Sequence, residues 1–349
     1  KPGMKLHATT APHIRHPESS RTLMSDAIIL LLVLCVLAFL YYGARALLIC
    51  AVSVAAAVAS ELICVLLRGR KPNPRDLSAV VTGLVIALMM PATISFTAVV
   101  TAAVFAIAIV KHPFGGTGSN LFNPAAAGFS FAAICWPAQV FSYPMPFDRI
   151  PLWGQAATSG SLVFQGTEAA VRLYQNPVFV LKVGGIPTNS LTEMLLGNYP
   201  GPMGATNILV LLACLCYLIY RGTVRWQLPL SFLASCAAVV ALFPRESPDR
   251  MQSLLYELMS GLLLFAAVFL LSDPVTRPKR DSALVIYGIF AGIITMFCRY
   301  TGGFEESVTF AVLLANAVMP AIDRHNEELH RLLRRKRFEV RKLQKTPQA

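Results

Sequence analysis

Long apolar runs alternate with short polar or glycine-rich stretches from about residue 26 onward. Ten runs of about 16–23 residues stand out: about 26–43, 46–67, 77–94, 96–111, 121–142, 205–221, 226–244, 253–272, 282–298 and 303–322. Runs of that length suit helices crossing a hydrocarbon core of roughly 30 Å. The pattern predicts an all-α polytopic membrane protein with about ten transmembrane helices. Five runs precede a long segment at 143–204 and five follow it. An odd number per half gives the halves opposite orientations, the arithmetic of a 5+5 inverted repeat with a site near the repeat interface. "FGGTGSNLFNPAAAGF" opens run five and "YTGGFEESVTFAVLLANAVMP" opens run ten, each a glycine pair followed by a helix with a polar Asn (Asn123, Asn316). The expected organisation is a cytoplasmic N-terminal segment (1–25), a first five-helix repeat (26–142), an extracytoplasmic loop with short helical pieces (143–204), a second repeat (205–322) and a basic cytoplasmic tail (323–349).

Composition agrees. The 349 residues are 55% hydrophobic and 14% charged, with mean hydropathy +0.59, too apolar for a soluble domain. The first apolar run starts after 25 polar residues, so no cleavable signal peptide is expected, and Lys1, Pro2 and Gly3 ahead of Met4 read as an upstream scar. With the N-terminus inside, 23 of the 30 Lys and Arg residues fall on the inner side and seven outside: Arg45, Arg149, Arg172, Lys182, Arg245, Arg250 and Arg299. That bias places both termini in the cytoplasm and explains the net charge of +12. The tail "RHNEELHRLLRRKRFEVRKLQK" suits a partner protein of the same complex or anionic lipid better than nucleic acid. All eight cysteines lie in apolar runs without CxxC spacing, and no histidine pair has metal-ligand spacing, so no metal site is expected.

Polar residues inside such runs are costly and invite functional hypotheses. Glu61 in "VASELICVLL" reads either as a carboxylate reaching towards Arg68 and Arg70 or as part of an ion or proton path. Asp76 reads as a helix N-cap and Asp273 as a boundary residue. Gly83, Gly128, Gly288 and Gly292 sit among small residues, where helices approach closely or a flat ligand fits. "FGGTGSNLFNP" lacks the Lys-Ser/Thr of a P-loop. Its glycines end run four, Pro124 suits the first turn of the next helix, and the start of that helix would offer backbone donors to an electron-rich group.

"PHIR" (12–15), "DLSAVVTGLVIALMMP", "FGGTGSNLFNPAAAGF", "LLGNYPGPMG", "SDPVTRP" and "TGGFEESVTFAVLLANAVMPAIDR" occur in order over nearly the whole chain. Together they resemble the D-subunit family of the Rnf ion-translocating ferredoxin:NAD oxidoreductase complex, related to the B-subunit family of the sodium-pumping NADH:quinone oxidoreductase. The resemblance implies a membrane subunit of the bacterial cytoplasmic (inner) membrane. It would carry flavin and pass electrons between partner subunits while Na⁺ or H⁺ crosses. That family attaches FMN by a phosphoester to a Thr ahead of "LLGNxPG". Here "YQNPVFVLKVGG" puts Asn176 at that place, and an amide cannot form the ester. FMN or riboflavin is then held without a covalent bond, or this version has lost the carrier. The expected non-covalent sites are Asn176, Pro177, Lys182, Gly184 and Gly185, or Gly115, Gly116, Asn120 and Asn123, with Thr206 and Thr158 as alternative attachment points. No catalytic residue is expected, since no nicotinamide fingerprint or metal cluster is present and activity would need the partner subunits. A small-solute channel or transporter and a cofactor-free structural subunit are the competing readings.

Overall fold

The computed structural model describes residues 20–71, 73, 76–148, 150–153, 176–245 and 250–345, and of 329–345 only the helical backbone. "PHIR" and Thr158 lie outside the described residues. Every regular element among them is a helix. Two long apolar helices, α1 (Ser20–Tyr42) and α2 (Ala44–Leu67), are joined by Gly43 alone, whose φ of 74° turns the chain where a side chain would be strained. The shorter α3 (Ser78–Met89) and α4 (Phe96–Lys111) follow, the last seven residues of α4 being wound as a π-helix. Next come α5 (Pro124–Cys135) and the single turn α6 (Pro137–Val140). The segment before the second half carries α7 (Pro177–Lys182) and α8 (Leu191–Leu196). The second half contains α9 (Ile208–Tyr220), α10 (Gln227–Leu242), α11 (Arg250–Met259), α12 (Leu263–Leu270), α13 (Asp281–Thr301) and α14 (Val308–Lys345).

Each of the ten apolar runs contains a helix, but among the described residues only α1, α2 and α13 are long and apolar enough to cross a membrane alone. The pair α11 and α12 passes the same test as one span bent by 59°. The runs overstate helix length because several spend residues on breaks, at 90–95, at Trp136 and at 260–262. Ten complete crossings are therefore not visible in helix lengths, whereas a polytopic, all-helical membrane chain is.

Packing follows the small residues. α10 lies along α13, α2 against α3 and α4, and α5 bridges α4 and α14. A Cβ on Gly288 or Gly292 would stand 2.0 or 1.9 Å from the Ser231 or Ser235 hydroxyl. At Gly83 it would meet the Val54 Cα at 2.8 Å, and at Gly128 the Ala102 carbonyl at 2.7 Å. These four glycines serve close helix approach. Cys214 is buried and Cys216 exposed, on opposite faces of α9, and all eight cysteines are free.

Candidate functional site

Two polar clusters and one seam organise the interior. The first cluster lies where α2 ends and α3 begins. Lys111, 1% exposed at the end of α4, donates to Glu61 Oε2 at 2.7 Å and to Ser78 Oγ at 2.6 Å. Ser78 donates its own hydroxyl proton to Asp76 Oδ1 at 2.6 Å, and Thr117 donates to the other oxygen at 2.6 Å. His112 Nε2 stands 3.2 Å from Glu61 Oε2, off the line of a hydrogen bond. Glu61 therefore pairs with Lys111 instead of reaching Arg68 and Arg70; Arg68 bonds the His112 carbonyl. Asp76 sits one residue before the N-cap, Leu77, and accepts from the Ser78 N–H at 3.0 Å. A lysine taken out of water needs acceptors around its ammonium group, which is why these partners converge.

The seam joins the two halves. Asn123 caps α5, accepting from the Ala126 N–H at 3.1 Å, with Pro124 in the first helical position. Its own N–H donates to Asn316 Oδ1 at 2.9 Å, and its amide to the Leu270 carbonyl at 3.0 Å. Asn316 donates to the Tyr287 hydroxyl at 2.7 Å, and Ser130 lies 3.0 Å from Thr309. The two asparagines of the repeated motif thus bond each other. The start of α5 is consequently satisfied by the protein and offers no spare donor at Asn123. In the glycine loop the Gly115 and Gly116 N–H groups are likewise taken, by the His112 and Lys111 carbonyls. Gly115, Gly116 and Gly118 all have φ between 89° and 122°, so the loop needs glycine for its shape. What remains open is Asn120 Oδ1, shielded from solvent without a partner among the described residues. It faces a crevice of about 90 Å³ between the halves, also lined by Ser78, Lys111, Asn123, Thr223 and Asp273.

The second cluster surrounds the α11–α12 break. Arg299 at the end of α13 donates to Glu257 Oε2 at 3.1 Å and to the Glu257 and Ser260 carbonyls at 2.7 and 2.9 Å. Arg245 lies 3.5 Å from the other Glu257 oxygen, and Glu257 has no exposed surface. Glu306 accepts from the Leu262 N–H at 3.0 Å, while its second oxygen is buried without a hydrogen bond among the described residues. The α3–α4 break is held differently. Arg45, 1% exposed, donates to the carbonyls of Ala92 (2.8 Å), Ile94 (3.2 Å), Pro151 (2.9 Å) and Leu152 (3.3 Å).

Asn176 is the N-cap of α7: its carbonyl oxygen accepts from the Val178 N–H at 3.1 Å and its amide donates to Glu305 at 3.0 Å. It is 4% exposed. Pro177 occupies the first turn, Lys182 bonds the Gly303 carbonyl, Gly184 has a φ of 78°, and a Cβ on Gly185 would meet Val180 at 2.9 Å. Burial holds the Lys182 ammonium below its ordinary pKa, against the pull of Glu305. A buried amide with both ends occupied and no hydroxyl does not fit covalent attachment of a flavin phosphate. Thr206 is 1% exposed, with its methyl group beside Gly201. The two expected flavin regions are not brought together. Asn176 meets Glu305 ahead of α14, whereas Asn123 meets Asn316, eight residues after Val308 and about 12 Å further along that helix.

Sequence reasoning missed Glu257, Glu306, Arg45, Arg299 and the partnership of Lys111 with Glu61. The signal for Glu257 was the one applied to Glu61, a carboxylate inside an apolar run ("LLYELMSGLLL"). Arg45 and Arg299 were counted only as charges flanking runs.

The family model described as the NQR2, RnfD, RnfE family matches residues 7–330. The chain is 32% identical over 330 residues to the D subunit of the Na⁺-translocating ferredoxin:NAD⁺ oxidoreductase complex of Acetobacterium woodii, covering 93% of this chain and 95% of that one. Identity is 31% over 339 residues with the D subunit of the ion-translocating oxidoreductase complex of Vibrio cholerae (strain O395), covering 92% and 97%. It is 28% over 320 residues with the D subunit of the proton-translocating ferredoxin:NAD⁺ oxidoreductase complex of Clostridium ljungdahlii, covering 91% and 94%. With a matching model over most of its length and a glycine-loop, two-asparagine seam built from the motifs that first pointed there, the chain belongs to the NQR2, RnfD, RnfE family.

Proposed function

We propose that this chain is a membrane subunit of an Rnf-type electron-transport complex of the bacterial cytoplasmic membrane. It crosses ten times with both termini inside, and works only with the other subunits of that complex. The near full-length likeness to D subunits of ion-translocating oxidoreductases supports the reading. The observation that carries the ion-coupling part is the Lys111–Glu61 pair at 2.7 Å, in which a buried lysine lining the inter-half crevice is held by a partly buried carboxylate of α2. Ser78 and Asp76 continue the hydrogen-bond chain from Lys111.

Asn120 would hold the polar edge of a flavin without a covalent bond, since its Oδ1 is an acceptor in need of a donor. When bound, the flavin supplies one- and two-electron redox chemistry. A cofactor-free structural subunit is a second reading, favoured by the closed amide at Asn176.

One preparation of the intact complex tests all of this. On a denaturing gel this chain should show no flavin fluorescence, while acid releases flavin into the supernatant. A fluorescent band would move the attachment to Thr206 or Thr158, and a flavin-free subunit would establish the structural reading. Glu61→Gln should leave electron transfer intact and lower coupled ion uptake several-fold; unchanged uptake would remove Glu61 from the ion path.

A further inference from the structure

Between the end of α2, the start of α3 and the glycine loop runs a groove of about 790 Å³. It changes character along its length. One part is lined by Val58, Leu62, Val65 and Val80. On the same stretch of α2, Leu62, Ile63, Leu66 and Leu67 are 44–83% exposed, as side chains facing lipid tails are. The groove therefore opens sideways onto an apolar face.

The other part is polar, and its charges do not cancel. Glu61 and Asp76 both face it: Lys111 matches the charge of Glu61, and Asp76, hydrogen-bonded by Ser78 and Thr117, leaves one negative charge against Arg68, Arg70 and Lys71. Arg68 is spent on the His112 carbonyl. Arg70 and Lys71 stand exposed at the rim, and among the described residues neither pairs with a carboxylate. His112 also lines the groove, 5% exposed, with its Nδ1 lacking a hydrogen-bond partner among the described residues.

We infer that this groove is a binding site for one anionic phospholipid, its phosphate between Arg70, Lys71 and His112 and an acyl chain against Val58, Leu62 and Val80. A soluble phosphate would have no use for the apolar part, and a zwitterionic lipid carries a cation that Arg70 and Lys71 repel. Basic pockets between membrane helices recognise anionic head groups by this combination, each cation contributing on the order of a fivefold gain in affinity. The groove adjoins the inter-half crevice at Thr117, and the site's occupancy does not depend on flavin or on Glu61 as an ion carrier.

The test uses the full chain in detergent, delipidated and then offered phosphatidylglycerol or phosphatidylcholine, with bound lipid counted by native mass spectrometry. Phosphatidylglycerol should be retained at about one per chain and phosphatidylcholine should wash out. Arg70→Ala with Lys71→Ala should weaken retention roughly 25-fold, about fivefold for each charge removed. Leu62→Trp keeps every charge and fills the apolar part from an exposed position, so it should also weaken retention. Equal retention of the two lipids overturns the site, as does full retention in the double variant. Full retention in Leu62→Trp would show surface charge alone at work, and complete displacement by inorganic phosphate would show a phosphate site without lipid specificity.

Discussion

The two helix breaks pose one problem and receive opposite answers. At 90–95 and at 260–262 the chain leaves helical geometry inside an apolar bundle, where unpaired carbonyls are expensive. In both places an arginine from a neighbouring helix end supplies donors. Arg45 does so with two carbonyls of the break and two of Pro151 and Leu152, and among the described residues with no carboxylate. Arg299 brings Glu257 with it, and Glu257 in turn holds Arg245, so that break is set in a network of fixed charges. The first break is also clasped by the chain itself, with the Gly204 N–H on the Leu88 carbonyl at 2.8 Å and the Met203 N–H on Met90 at 3.1 Å. The second relies on side chains. A break held by backbone tolerates loss of its arginine better than one held by ion pairs.

That contrast can be broken in order of effect. Glu257→Ala leaves Arg299 and Arg245 buried without their anion, and should cost about 3–5 kcal/mol, as removal of one partner from a buried pair does. The measurement is thermal unfolding of the detergent-solubilised chain. Arg45→Met removes the donors but also a buried unpaired charge, and should cost about 1–3 kcal/mol in the same assay. A larger loss for Arg45→Met than for Glu257→Ala would reverse the ranking. Asn176→Thr exchanges one good N-cap for another at the start of α7 and should change stability by under about 1 kcal/mol. A bigger drop would mean that the bond to Glu305, and not the cap, holds α7.

Helix positions were legible in the sequence because burial in lipid needs no amphipathic pattern, only apolar length. Completeness of each crossing was not, since apolar length does not distinguish a helix from a helix with a break; Gly261, with φ 68°, looks in sequence like any small membrane residue. The capping roles of Asn123 and Asn176 were half visible. An Asn before Pro reads as an N-cap, but its second partner, Asn316 or Glu305, lies 193 or 129 residues away. Lys111 was hardest, because a lysine between an apolar run and a glycine loop looks solvated until α2 is laid beside it.

The seam between α5 and α14 has a mechanical meaning. Its rungs, Asn123–Asn316 and Ser130–Thr309, are seven residues apart on each helix and run antiparallel. Two rungs at one spacing behave like two dowels. Shifting either helix by one turn, about 5.4 Å along its axis, takes both rungs beyond bonding distance together. Tilting about the line through them stretches neither. The seam therefore opposes sliding of α5 along α14 by a turn while leaving rotation about the line through its rungs unopposed by these two bonds.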